Sequence, residues 1–284
     1  MSRLVNLKRG VIASLVAVTL LSSSLFGAGE VNKDGRVSTF LEGALQDVKS
    51  VENSLKGAGF EVLATDAIDK KGKLTSVVFT CPSLKKMADK PNRGHAAVLR
   101  VLINKIDEEI SIANPLYFSK AFLQDDFDAK TAEAVLSKIN GAFKGLKDSK
   151  DGMDFDDLAG YHFMLSMPYY DDMAIIGEGD NADLIAKVKS YKKGENLLFE
   201  LKLSDNRTLL GYKIGKRTAK FVSKIGTKNA GLLPYTILIE KGKAKILVGK
   251  YYIAINYPAL QMSHFMKIAT VPGAIEKDCS KPFK

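Results

Sequence analysis

The feature that most constrains this chain is a recurrence: one order of elements is written along it twice. In the first copy, residues 40–55 carry Leu41, Ala44, Leu45, Val48, Val51 and Leu55 at helical spacing, and Gly57 and Gly59 end the run. Residues 60–64 and 74–81 read as strands. Pro82 opens a short helix running to residue 90, a position where its missing N–H does no harm. Residues 91–94 form a turn. A hairpin of residues 96–104 and 109–113 surrounds the charged stretch 105–108, and Asn114-Pro115 ends it. The second copy repeats the order with helix 183–191, strands 197–203 and 208–214, and short helix 216–225. Its hairpin, 232–239 and 243–255, surrounds Glu240-Lys241-Gly242 and ends at Asn256-Tyr257-Pro258. Both copies continue into an apolar helical segment, 116–123 and 259–268. Helix 129–146 and the polar linker 147–152 join them, and 161–167 reads as a strand leading into the second copy.

Helices that alternate with tight hairpins favour antiparallel pairing with helices on one face, not a doubly wound parallel sheet. The expected fold class is therefore α+β: two diverged repeats, each a curved, mainly antiparallel sheet backed by helices. The expected division is a leader at residues 1–28, a first repeat at 29–125, a connecting helix and linker at 126–152, and a second repeat at 153–284. A sheet face under helices can leave an apolar groove between the layers.

Residues 55–63 (LKGAGFEVL), 77–87 (VVFTCPSLKKM) and 94–115 resemble the domain of unknown function family 302, and residues 209–225 and 231–258 of the second copy are similar. The resemblance implies a compact fold in which a curved antiparallel sheet is backed by helices, and it implies no activity. The second copy departs from the pattern. Gly215 stands where the helix-opening proline does, Ile214 stands at the place of Cys81, and Gly-Phe is missing before Leu197. A site needing those residues would exist only in the first copy.

Ahead of both copies, Arg3, Lys8 and Arg9 precede an apolar run at 11–21 and a small-residue stretch at 22–29. That is the layout of a cleaved signal peptide, with the cut near Gly27 or Ala28. The apolar run is shorter than the roughly 20 residues a spanning helix needs. The expected location is the periplasm or cell envelope, with an uncleaved anchor as the alternative. The net charge is +10. Beyond the leader the basic residues read as single lysines among acids, a solvated surface, with attraction to an anionic membrane surface or an acidic partner as the functional alternative. Nucleic acid has no recognition motif here.

Enzyme signatures are missing: there is no G-x-S-x-G, H-E-x-x-H, P-loop or G-x-G-x-x-G. His95, at a turn into a strand, reads as solvated or capping, and Asp156-Asp157 and Asp171-Asp172 read as solvated loop acids. An oxidising compartment permits a disulfide between Cys81 and Cys279. The alternative is a buried, inert Cys81 and a free thiol in a loose tail.

One constellation stands out. His-Phe-Met occurs at 162–164 and again at 264–266, with Met167 and Met262 nearby. Imidazole and thioether suit copper, the thioether favouring the cuprous ion, so His162, Met164, His264 and Met266 are candidate ligands. The competing reading is methionine filling core gaps. The functional expectation is an exported, non-enzymatic envelope protein that binds a small apolar ligand or a protein partner. The alternative is a periplasmic copper-binding protein.

Overall fold

A computed structural model describes residues 27–284. The expected leader lies outside the described residues apart from Gly27 and Ala28. The first copy consists of β1 (Arg36–Ser38), β2 (Phe40–Ala44), α1 (Val48–Gly57), β3 (Glu61–Ala67), β4 (Leu74–Thr80), α2 (Pro82–Ala88), β5 (Leu99–Asn104), β6 (Glu109–Ala113), α3 (Pro115–Leu123), α4 (Ala129–Ala142), β7 (Lys147–Asp148) and β8 (Gly152–Asp154). The second consists of β9 (Ala174–Glu178), α5 (Asn181–Ser190), β10 (Leu197–Ser204), β11 (Arg207–Tyr212), α6 (Lys216–Ala219), α7 (Val222–Ile225), β12 (Tyr235–Glu240), β13 (Lys243–Ile246), α8 (Gly249–Asn256), α9 (Met262–Lys267) and α10 (Val271–Ser280).

The fold is α+β, and its two larger antiparallel sheets share one order over five strands. The first sheet runs β3-β4-β5-β6-β2-β7 and the second β10-β11-β12-β13-β9. The central strands β4 and β5 are buried along their whole length, which is why they read as unbroken apolar runs instead of alternating ones. Val78, Leu99, Val101 and Ile112 are buried in the core, as are Leu210, Ile237, Ile239 and Ile255.

The strand that opens each copy departs from the sequence reading. Residues 40–55 are not one helix. Phe40–Ala44 pairs with β6, and the helix starts only after Asp47, whose carboxylate accepts the Ser50 N–H at 2.7 Å. Leu41 and Ala44 happen to continue the helical period, and strand pairing overrides it. Residues 161–167 form no strand; the opening strand of the second copy is β9. Residues 243–255 are not one strand either. β13 stops at Ile246, and α8 follows with nearly every residue buried. The Tyr-Tyr-Ile-Ala-Ile run suggests a strand by its aromatic and branched side chains, but burial on all sides suits a helix equally well. The counterpart of Asn114-Pro115 is therefore Val248-Gly249, not residues 256–258. β8 pairs with β1, so residues 152–154 are tied to the first copy.

With that alignment, α3 and α8 are equivalent, and their contacts are reciprocal. Tyr117, the third residue of α3, donates its hydroxyl to the Ile255 carbonyl in α8 at 2.7 Å. Tyr251, the third residue of α8, donates to the Ala121 carbonyl in α3 at 3.4 Å. Ala121 and Ile255 are the seventh residues of their helices. A contact made by equivalent groups in both directions is the mark of a two-fold arrangement. The two copies are packed on one continuous core.

The loop at residues 91–95 seals the junction. A Cβ on Gly94 would lie 2.4 Å from Leu238 Cδ1 of β12. His95 is buried, with Nδ1 2.8 Å from Thr236 Oγ1 and no partner for Nε2, so it is neither solvated nor capping. Burial, reinforced by Arg100 and Lys245 and opposed by Glu240, holds its pKa down at about 3. Above pH 6.5 the ring is neutral in both folded and unfolded chains and contributes nothing to pH dependence. Below it, the unfolded chain takes up a proton that the folded one refuses. Stability should therefore fall by about 2 kcal/mol between pH 7 and pH 5 from this residue alone. Urea unfolding of wild type and His95→Gln at both pH values checks this: the wild type should lose that much more than the variant.

Cys81 and Cys279 are both free and both buried, one before α2 and one within α10. The disulfide is not formed, and the tail carrying Cys279 is an ordered helix. Its thiol is pushed up by burial, with Asp278 adding to the effect. A thiol reagent should label neither cysteine in native protein and both in urea. One thiol reacting rapidly in native protein would contradict the burial.

Candidate functional site

The two His-Phe-Met segments meet. The rings of Phe163 and Phe265 lie 4.5 Å apart, joining the loop after β8 to α9. Further aromatic contacts tie the loop down on both sides: Tyr161 packs near Tyr251, and Tyr170 sends its hydroxyl to the Asn92 carbonyl at 2.7 Å. Between these anchors Met164 to Met167 forms a tight turn, closed by the Met167 N–H on the Met164 carbonyl at 2.9 Å, with Ser166 at φ +67°.

This turn points apolar side chains outward. Leu165 at its tip is 89% exposed, Met164 44%, and on the adjoining α9 Met266 is 69% and Met262 44% exposed. Tyr169 is half exposed and lies tilted against His162 with ring centroids 4.4 Å apart. The core reading of these methionines is overturned, because Met164 and Met266 are both exposed, while Phe265 packs against the core. A single exposed leucine is ordinary, but four large apolar side chains around one aromatic contact make a patch.

The copper reading finds the two motifs adjacent but one of their donor atoms otherwise occupied. His264 Nδ1 accepts the Gln261 N–H at 3.2 Å and so completes a capping box at the start of α9. The contact that joins the motifs is made by phenylalanine, which offers no donor. Among the described residues no three His, Cys, Asp or Glu side chains are grouped to hold a metal ion. Searches against family models, curated proteins and solved structures found no match for this chain.

The charge flanking α9 is of one sign, whereas the loop that carries the turn also holds the exposed acids Asp156, Asp157, Asp171 and Asp172. Between Asp205 and Glu276 the only acid is Glu240, and that side chain is 1% exposed and paired with Arg207 and Lys245. α7 packs beside α9. Lys216, Arg217, Lys220 and Lys224, on and between α6 and α7, are exposed, as is Lys267 at the end of α9, and none makes an ion pair among the described residues. The acids nearest the patch in sequence are Asp171, paired with Arg93 at 2.7 Å, and Asp172, which accepts the Tyr169 N–H at 2.9 Å. Periodicity cannot reveal this site, since a turn between copies has none. The doubled His-Phe-Met is the sequence signal at these residues, and the methionines that the core reading would bury are exposed.

Proposed function

We propose that this chain is an exported, non-enzymatic protein of the cell envelope that works by docking through the Met164-Leu165 turn and α9. The observation that carries the reading is the exposure of Leu165 at the tip of a turn anchored on both sides. A loop held this firmly presents its side chains at little further entropic cost on binding. The family 302 resemblance, which brings no activity with it, is compatible with a binding role.

The test is retention. Leu165→Ser with Met266→Ser removes apolar surface and no packing, so the melting temperature should stay within a few degrees, as expected of surface substitutions. The fraction of protein that stays with the envelope after osmotic shock should drop sharply. Retention equal to wild type would reject the patch. The copper alternative makes a separate prediction, favoured only by the exposed thioethers: wild type, and not Met164→Ala with Met266→Ala, would compete with a cuprous chelator.

A further inference from the structure

We infer that the partner at this surface is an anionic lipid bilayer, approached by the basic flank of α6 and α7 and entered by Leu165, Met164 and Met266. The inference rests on the docking patch proposed above and adds the class of partner. Its ground is charge complementarity. An apolar protein surface would match the methionines and leave Lys216, Arg217, Lys220, Lys224 and Lys267 without counter-charges. A neutral bilayer would do the same. Anionic headgroups beside an acyl boundary satisfy both halves at once, as in peripheral proteins that combine basic residues with shallow apolar insertion. Exposure fits the arrangement too. Leu165 stands at the extreme of a turn, and α9 is a two-turn helix with Met262 and Met266 on the same side, four residues apart. Among the described residues no helix is long and apolar enough to cross a membrane, so contact would be from the surface.

The experiment uses mature protein recovered from the periplasmic fraction, its first residue read by Edman degradation so that no apolar leader takes part. It is sedimented with vesicles of phosphatidylglycerol mixed into phosphatidylethanolamine, and with vesicles of phosphatidylcholine alone. Binding to the first and little to the second is expected, with affinity falling as salt rises. Lys220→Glu with Lys224→Glu should weaken partition by roughly thirtyfold or more, since each lysine near such a surface is worth several-fold. Leu165→Ser with Met266→Ser should weaken it by about tenfold or more. Equal binding to both vesicle types, or none to either, overturns the lipid assignment. If vesicles are not bound but patch-dependent envelope retention persists and is lost on trypsin treatment of the envelopes, the docking patch stands and its partner is a protein. If neither vesicle binding nor retention depends on the patch, both readings fall.

Discussion

Glu240→Ala should destabilise the protein by about 3–5 kcal/mol at pH 7, read as a shift of the urea midpoint. The carboxylate is 1% exposed and sits where the two copies join. It accepts from Arg207 Nε at 2.8 Å, from Lys245 Nζ at 2.8 Å and from the backbone N–H of Asn92 in the first copy at 3.0 Å. Lys245 also reaches Asn92 Oδ1 at 2.7 Å, and Arg207 pairs with Asp89 of the first copy. Burial by itself would raise this carboxyl, but hydrogen bonds from Arg207 and Lys245 hold it below its ordinary range. Removing it strands two partly buried cations and one backbone donor. The control is Glu200→Ala, which breaks a surface pair with Lys189 at 2.6 Å and should change stability by less than about 1 kcal/mol. Equal effects from the two substitutions would mean that the junction is not held as described.

Asn114→Ala should cost about 3–5 kcal/mol as well, by a different route. Its amide is fully buried. Oδ1 caps α3 by accepting the Leu116 N–H at 3.0 Å, while Nδ2 donates to the carbonyls of Gly29 and Ser38 at 2.9 and 2.8 Å. One side chain thus starts a helix and pins the first described residues onto the sheet. Asn140 helps by donating to the Ala28 carbonyl at 2.9 Å, and the Gly29 N–H reaches Asp148 Oδ1 at 2.6 Å. Loss of Asn114 should speed hydrogen exchange in residues 28–38 before the sheet itself opens. Asn114→Asp keeps the cap acceptor but removes both donors, so it should restore little. Full recovery with Asp would show that the cap alone matters.

How much of this was legible in the sequence depends on whether an element is decided locally. The β5–β6 hairpin was readable because its apolar runs are bounded by the charged stretch at 105–108 and by Asn114-Pro115. α3 and α4 were readable as helical segments, and the structure caps their starts with Asn114 and Asp128. The duplication was readable from element order, although its register was misplaced wherever propensity and burial disagree, as in α8. Glu240 and His95 were read as turn residues, and both are buried where the copies meet. Nothing near them in sequence says so, since their environments come from Asn92, Arg207 and Thr236 across the junction. The docking patch lies between these cases. The repeated His-Phe-Met marks its segments, while the methionines that the core reading would bury are exposed.

The central claim is that the Met164-Leu165 turn and α9 are covered when the protein is in place. Methionine oxidation measures this directly, because the thioether reports its own accessibility. Purified protein and intact envelopes are treated briefly with dilute peroxide, and each methionine is read by peptide mass. In purified protein Met164, Met262 and Met266 should oxidise fast and Met87, which is buried, slowly. In envelopes the three exposed methionines should become slow, while the partly buried Met153 keeps its rate. Unchanged rapid oxidation of Met164, Met262 and Met266 in the envelope would contradict the account.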